Sequence, residues 1–340
     1  MKHYFTNDYS SLAHPRIIKA LEALKDEQNI AYGLDNHSLK AEKYIKETFN
    51  SPNGKVYFLA GGTLTNMVFI SYALRPYEAV VTLETGHINV HETGAIEGSG
   101  HKIITAKGEN GKMRPSDILN VLKVYHDEHM VKPRLVYISN STEIGTIYNT
   151  QELKELSRVC KENDLYFYID GARLGSALTS KENDVEPALL GSVCDAFYVG
   201  GAKNGLLQGE ALVINNPELQ KDFRYHIKNK GAMISKGFML GAQFEEAFKD
   251  GLYFDIAKAT NEVADYLKKQ LKLLDINLLD SPTNQIFAIL NKNLADSLIK
   301  EYRLELWEDR GSQLVVRFVI SYTTSKSDVD EFISFLKAVI

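Results

Sequence analysis

An amine set among glycines is the first feature of this chain with chemistry in it. Lys203 lies in FYVGGAKNG (197–205), where Phe197, Tyr198 and Val199 read as the end of a buried strand. Gly200, Gly201 and Ala202 carry almost no side chain and cannot shield a charge. An ammonium in such company costs several kcal/mol or gives up its proton. A free lysine is neutral in only about one molecule in a thousand at pH 7. Surroundings of low polarity raise that fraction, and the neutral amine is the nucleophile that attacks carbonyl groups. Either the loop is exposed and Lys203 is ordinary, or something binds there that needs an amine.

Three other stretches carry groups of similar interest. In YIDGARLG (168–175), Asp170 ends an apolar strand and Arg173 follows on the turn. A carboxylate in that position needs a cation or hydrogen-bond donors, and taken alone the two residues read as an internal ion pair. In LAGGTLTNM (59–67), two glycines and Thr63 open a helix whose free N–H groups suit a phosphate. The stretch lacks the lysine of a P-loop and the spacing of a dinucleotide fingerprint, so alone it is equally a structural turn. In TGHINVHETGA (85–95), His87 and His91 are four apart and would share a helical face, as paired zinc ligands do. Glu92 follows the second histidine, so the order is not H-E-x-x-H, and the sequence singles out no third ligand. The histidines read better as structural, or as a ring that stacks on a flat cofactor, and no metal is expected.

The elements that must hold these groups alternate along the chain. Apolar runs at 55–60, 78–84, 102–106, 133–139, 166–170, 195–200 and 211–215 read as strands, separated by amphipathic helices. One such helix, over 150–163, puts Leu153, Leu156 and Cys160 on a single stripe. Strands apolar on both faces predict an α/β fold with a mainly parallel sheet wrapped by helices. After about residue 245 the character changes. A helix with Val263, Leu267, Leu271 and Leu274 inward precedes NQIFAIL, LELWED and QLVVRFVIS, which read as strands, and a helix from Ser325 closes the chain. The division is a large domain over 1–247 and a smaller α+β domain over 248–340, with segment 1–15 packing on the smaller one. The site belongs at the carboxyl ends of the large-domain strands.

Composition narrows the partners. The 340 residues carry a formal charge of −5, which disfavours nucleic acid, since phosphate binding needs a basic face. Cys160 and Cys194 are the only cysteines, so there is no disulfide framework. No apolar run reaches membrane-spanning length and the first residues have no signal-like apolar stretch, so a cytoplasmic protein is expected.

In their order and spacing these stretches resemble fold-type I pyridoxal-phosphate (PLP) enzymes, and among them the threonine aldolase and β-eliminating lyase family. FTNDYSS near the start, AYGLDNHSLKAEK (31–43), GGTLTN, GHINVHETGA, YIDGARLGSAL, GGAKNG and VVRFVIS each match a family segment, so the resemblance covers nearly the whole chain. It implies a fold-type I large domain with a seven-stranded sheet and pyridoxal 5′-phosphate as cofactor. It implies that Lys203 binds the cofactor covalently, that Asp170 holds the proton of its ring nitrogen, and that His87 stacks on its ring. Gly62 and Thr63 would take the phosphate. Arg173 and Arg317 would hold the substrate carboxylate, a task suited to a planar two-pronged donor. Strand alternation puts Arg317 on the face opposite Leu314, Val316, Phe318 and Ile320. Asn7 and Tyr32 match substrate-contacting positions.

The sequence departs from the family at several places. Its opening Ser-Asp-Thr is Asn7-Asp8-Tyr9 here, and Ala202 stands before the lysine in place of serine. Lys236 stands where the family has an arginine that reaches the phosphate from a neighbouring subunit. Glu143 aligns with a histidine near the substrate hydroxyl, which makes it a candidate base, with His91 as the alternative. The reading that results is a lyase cleaving a threonine-like β-hydroxy-α-amino acid to glycine and an aldehyde, in a homodimer or homotetramer. The alternatives are β-elimination or other α-carbon chemistry on a small amino acid and, more remotely, a non-catalytic binding protein.

Overall fold

In the computed structural model, which describes residues 3–340, the apolar runs of the first two-thirds of the chain form one seven-stranded sheet. Its strands are β1 (Lys55–Leu59), β2 (Glu78–Leu83), β3 (Ile103–Ala106), β4 (Lys132–Ser139), β5 (Tyr166–Asp170), β6 (Ala196–Gly200) and β7 (Glu210–Ile214), in the order β1-β7-β6-β5-β4-β2-β3. β3, β2, β4, β5 and β6 run parallel, and β7 is antiparallel to both its neighbours. Every residue of β2, β6 and β7 is buried, as two-sided apolar strands require when helices cover both faces. Because β7 reverses direction after the short connection 201–209, its first residue, Glu210, stands at the edge where the parallel strands end.

The helices begin where their side chains can cap them. Asn149 accepts from the Glu152 N–H at 2.8 Å, and the Glu152 carboxylate accepts from the Asn149 N–H at 2.8 Å, a reciprocal cap for Thr150–Glu162. Leu153, Leu156 and Cys160 of that helix are buried, as its spacing predicts. The helix Gly62–Ala73 instead starts from Gly61 with no side-chain cap, which leaves its N-terminus open.

A second, antiparallel sheet takes the order β10-β11-β9-β8, with β8 (Asn277–Leu278), β9 (Gln285–Asn291), β10 (Glu305–Asp309) and β11 (Gln313–Val319). Between β9 and β10 lies a helix, Lys292–Tyr302, absent from the expectations above. Its signal was present: Asn291 caps it, and Ala295, Leu298 and Tyr302 recur at helical spacing and are buried.

Two connections tie this sheet to the first. The helix Leu252–Lys272 buries Leu252, Tyr253 and Ile256 in the core under the large sheet, and Ala264, Leu267 and Leu271 in the core of the small one. The N-terminal segment does the same in extended form. Phe5 packs among Phe318 and Phe332, its carbonyl accepts from the Val319 N–H at 2.8 Å, and the His14 N–H then donates to Gly205 O at 2.8 Å, beside the Lys203 turn. Met1 and Lys2, the start of the expected 1–15 segment, lie outside the described residues. No helix among the described residues is long and apolar enough to cross a membrane.

Candidate active site

The carboxyl ends of the parallel strands carry a closed loop of hydrogen bonds around Asp170. Asp170 is 3 % exposed at the end of β5. Its Oδ2 accepts from the Tyr137 hydroxyl at 2.6 Å and from Asn66 Nδ2 at 3.0 Å, and its Oδ1 accepts from the Ala172 N–H at 3.0 Å. Asn66 Nδ2 also donates to Glu92 Oε1 at 2.8 Å, which accepts from His87 Nδ1 at 2.7 Å. The His87 N–H donates to Glu143 Oε1 at 2.9 Å, and so does the Ser139 hydroxyl at 2.6 Å, itself 3.3 Å from the Tyr137 hydroxyl. Strand ends β2, β4 and β5 and the helix Gly62–Ala73 are thus joined through one carboxylate. Burial alone would raise the Asp170 pKa; the His87 charge and hydrogen bonds from Tyr137, Tyr198 and Asn66 outweigh it and hold the carboxyl below its ordinary value. Asp170 is therefore an anion at neutral pH.

Lys203 stands on the same edge, half-buried in a single turn after β6. Burial and the nearby Arg173 charge pull its pKa down, against Asp8, Asp170 and Glu210. Its Nζ lies 6.0 Å from the Tyr9 ring centroid. Asp170 and Arg173, which alone in sequence read as a pair, take different partners. Arg173 donates from Nε and Nη2 to the two oxygens of Asp8 at 2.7 and 3.0 Å, because the N-terminal segment returns across the sheet edge. Asn284 Nδ2 adds a bond of 3.0 Å to Asp8 Oδ2 and another of 2.8 Å to Ile320 O. Burial would raise the Asp8 pKa, but Arg173, Lys203 and Asn284 hold it below the usual carboxylate range.

Arg317 points from β11 toward the same region. It pairs with Glu305, directly opposite on β10, and donates to Gln285 Oε1 at 3.1 Å. It lies 5.1 Å from the Trp307 ring, and its Nε is buried without a hydrogen-bond partner. Burial and then Arg173 lower its pKa. His91 is exposed, with its ring 5.4 Å from that of His87 and 6.5 Å from Trp307. Burial of part of the ring, then His87, lowers its pKa, so the ring is neutral at neutral pH. Glu143 is pushed upward by burial, against the Ser139 hydroxyl bond and its backbone donor.

Gly62 and Thr63 form the open N-terminus of Gly62–Ala73, where a Cβ on Gly62 would come 3.0 Å from the Tyr198 hydroxyl. The remaining expected residues lie elsewhere. Asn7 Oδ1 accepts from the Tyr9 N–H and the Ser10 hydroxyl, shaping the turn that presents Asp8. Tyr32 and Lys236 neighbour each other: the Tyr32 N–H donates to Ser235 O at 3.0 Å, and Lys228 Nζ lies 4.7 Å from the Tyr32 ring. Asn66, Tyr137, Ser139, Asn284, Glu305 and Trp307 were not anticipated. Asn66 offered a signal, a carboxamide inside the apolar run LTNMVFI, but its partners come from other elements.

Breaking the Asp8–Arg173 pair leaves a buried guanidinium unpaired. Asp8→Asn is predicted to cost about 3–5 kcal/mol in urea unfolding at pH 7. The folded Asp8 pKa is depressed, so the wild-type contribution is complete above the ordinary carboxylate pKa and is lost as pH falls through the folded value. A cost under about 1 kcal/mol at pH 7 would mean that the pair stabilises little.

Known proteins resemble this chain over nearly its whole length. The family model described as Beta-eliminating lyase matches residues 8–293. A low specificity L-threonine aldolase of Pseudomonas sp. (strain NCIMB 10558) is 29% identical, covering 100% of this chain and 98% of that protein. A threonine aldolase of Leishmania major superposes with a TM-score of 0.96 at 42% identity, covering 99% of each chain. An aspartate aminotransferase of Thermus thermophilus, 12% identical with a TM-score of 0.74 over 99% of this chain and 91% of that one, shares the fold alone. The architecture is that of fold-type I PLP enzymes, and the chain belongs to the beta-eliminating lyase family.

Proposed function

We propose that this chain is a lyase that cleaves a threonine-like β-hydroxy-α-amino acid between Cα and Cβ, giving glycine and an aldehyde. The observation that carries the reading is the placement of a half-buried amine, Lys203, and an ionised buried carboxylate, Asp170, on one sheet edge. Similarity along the whole chain to proteins named threonine aldolases supports it. The residues fit pyridoxal 5′-phosphate, the cofactor that family and fold imply: the amine has its pKa lowered, the carboxylate is held as an anion, and a glycine opens an uncapped helix N-terminus. Lys203 would bind it covalently, Asp170 would keep a proton on its ring nitrogen, and His87 would cover a ring face. Gly62 and Thr63 would take the phosphate. Bound there, the cofactor supplies a sink for the electron pair left on Cα.

The protein's own groups do the rest. Arg317 has a buried Nε without a partner, which suits a substrate carboxylate, and Arg173 lies close enough to act on it electrostatically. Cleavage requires a base for the β-hydroxyl proton. Glu143 Oε1 already accepts two hydrogen bonds that fix the His87 turn. His91 is neutral, exposed and beside Trp307 and Arg317, so it takes that role in this reading. A cytoplasmic setting suits the two free, buried cysteines. The segment around Ile30, Tyr32, Leu34 and Leu39 exposes apolar side chains beside Met239 and Lys236, which suits a two-fold contact between copies. Lys236, and Tyr32 with it, are the candidates for reaching a neighbour's site.

Borohydride reduction of the protein with PLP is expected to fix the label on Lys203 by peptide mapping, and L-threonine to yield glycine and acetaldehyde. Release of keto acid and ammonia without aldehyde would shift the assignment to β-elimination. For the base, His91→Ala is predicted to lower kcat on threonine by about 10²–10⁴-fold. The wild-type acid limb should fall below the ordinary histidine value, since the His91 pKa is lowered. Glu143→Gln should cost less than about tenfold; the reverse ranking would hand the role to Glu143. Sedimentation at assay dilution should give at least a dimer, and a fully active monomer would overturn the interface.

A further inference from the structure

Two arginines serve the site, and their carboxylate partners hold them differently. Arg173 is gripped side-on: Nε and Nη2 each donate to one oxygen of Asp8, at 2.7 and 3.0 Å. Asn284 holds Asp8 in turn, so that pair is fixed. Arg317 carries the same two-pronged edge and uses half of it. Its Nη2 donates to Glu305 Oε2, while its Nε is buried without a hydrogen-bond partner. A buried donor left unpaired is unfavourable, and a carboxylate lying across Nε and Nη2 would satisfy both. Glu305 does not do so. Its side chain is 39 % exposed, against 1 % for Asp8, and among the described residues it makes no other hydrogen bond.

Other groups keep the Arg317 guanidinium in place. Gln285 Oε1 accepts from Nη1 at 3.1 Å, and Gln285 is fully buried, with its Nε2 3.4 Å from Thr142 O. The Trp307 ring lies 5.1 Å from the guanidinium and packs edge-on against Phe287, which faces Arg317 in the register of β9 on β11. Trp307 owes that position to a bulge in the edge strand β10: Leu306 pairs with Val316 and Glu308 with Val315, so Trp307 is the extra residue. Gln285 and Trp307 thus hold the guanidinium whichever carboxylate sits on Nη2. What Glu305 adds is charge. Burial and then Arg173 disfavour the Arg317 cation, and Glu305 offsets them.

We propose that Glu305 is a displaceable stand-in for the substrate carboxylate, neutralising Arg317 in the free protein and swinging toward solvent when an amino acid lays its own carboxylate across Nε and Nη2. The exchange replaces a one-pronged bond with a two-pronged one and satisfies the buried Nε. The pairing of charges is conserved, because one carboxylate leaves as another arrives. A ligand with an amine and no carboxylate cannot drive the exchange, so Glu305 helps the site choose amino acids over simple amines. The inference rests on the reading of Arg317 as the holder of the substrate carboxylate.

The test is equilibrium binding to the PLP-loaded protein, followed by cofactor absorbance, of glycine and of aminoethanol, which has a hydroxymethyl group in place of the carboxylate. Glu305→Gln removes the competing charge, so glycine should bind about two- to fivefold more tightly while the affinity for aminoethanol stays as in wild type. Unchanged or weaker glycine binding by the folded variant, or an equal gain for both ligands, overturns the proposal. A crystal structure of the wild type with glycine needs no variant: the glycine carboxylate on Nε and Nη2 with Glu305 turned away supports the exchange, and Glu305 still on Nη2 overturns it. Arg317→Lys tests the premise separately. It should weaken glycine by more than about tenfold and spare aminoethanol. Glycine binding untouched by Arg317→Lys would instead remove the reading on which the inference rests.

Discussion

Asp170 is a carboxylate buried at the end of a central strand, and such a group stays ionised only if donors surround it. That requirement organises the site. Tyr137 comes from the next strand, Asn66 from the helix after β1, and the Ala172 N–H from the turn after β5, so three elements must be in place before the charge is tolerated. Through Asn66 the same carboxylate is linked to Glu92 and His87, and through Tyr137 and Ser139 to Glu143. The loop after β2 and the loop after β4 are then fixed relative to each other by the Glu143 bond to the His87 backbone. A buried network of this kind is rigid because every member lost leaves another unsatisfied. The geometry that would hold a flat cofactor is thus a consequence of keeping one anion in the interior.

A second charge pair joins the site to the smaller sheet. Asp8 accepts from Arg173 on the large-sheet side and from Asn284, which also donates to the end of β11 through Ile320 O. Ser176 extends the link, accepting from the Asn284 N–H at 3.2 Å and donating to Asn261 on the long helix that both cores share. The strand that bears Arg317 is therefore tied to the Arg173 side by polar contacts as well as by the packing of Phe5. The pairing of Arg317 with Glu305 and its contact with Trp307 make the edge strand β10 part of the wall over the site.

The apolar runs, their two-sided character and the glycine-flanked lysine were legible in the sequence because they are local. A strand apolar on both faces needs helices on both faces, and an amine among glycines needs a use, whatever the rest of the chain does. Family resemblance rests on the same local stretches, so it singled out Lys203, Asp170, His87 and the glycine turn together as candidates. Even the helix Lys292–Tyr302 was written locally, in its cap and its spacing, although its neighbouring strands drew the reading away from it.

Partners were not legible, because a partner is fixed by where the chain returns. Nothing in YIDGARLG says that Arg173 turns away from Asp170 to meet Asp8, 165 residues earlier. Nothing in QLVVRFVIS says that Glu305 faces Arg317, since that depends on the register of β10 on β11. The apolar run that became β7 reads as a strand from 211 and leaves Glu210 outside it; only the antiparallel return of β7 puts Glu210 on the edge with Lys203. Sequence alone determined which residues could do chemistry and the sheet that carries them. Tertiary structure decided which charge neutralises which, because in a low-dielectric interior the pairing follows from distances between elements far apart in the chain.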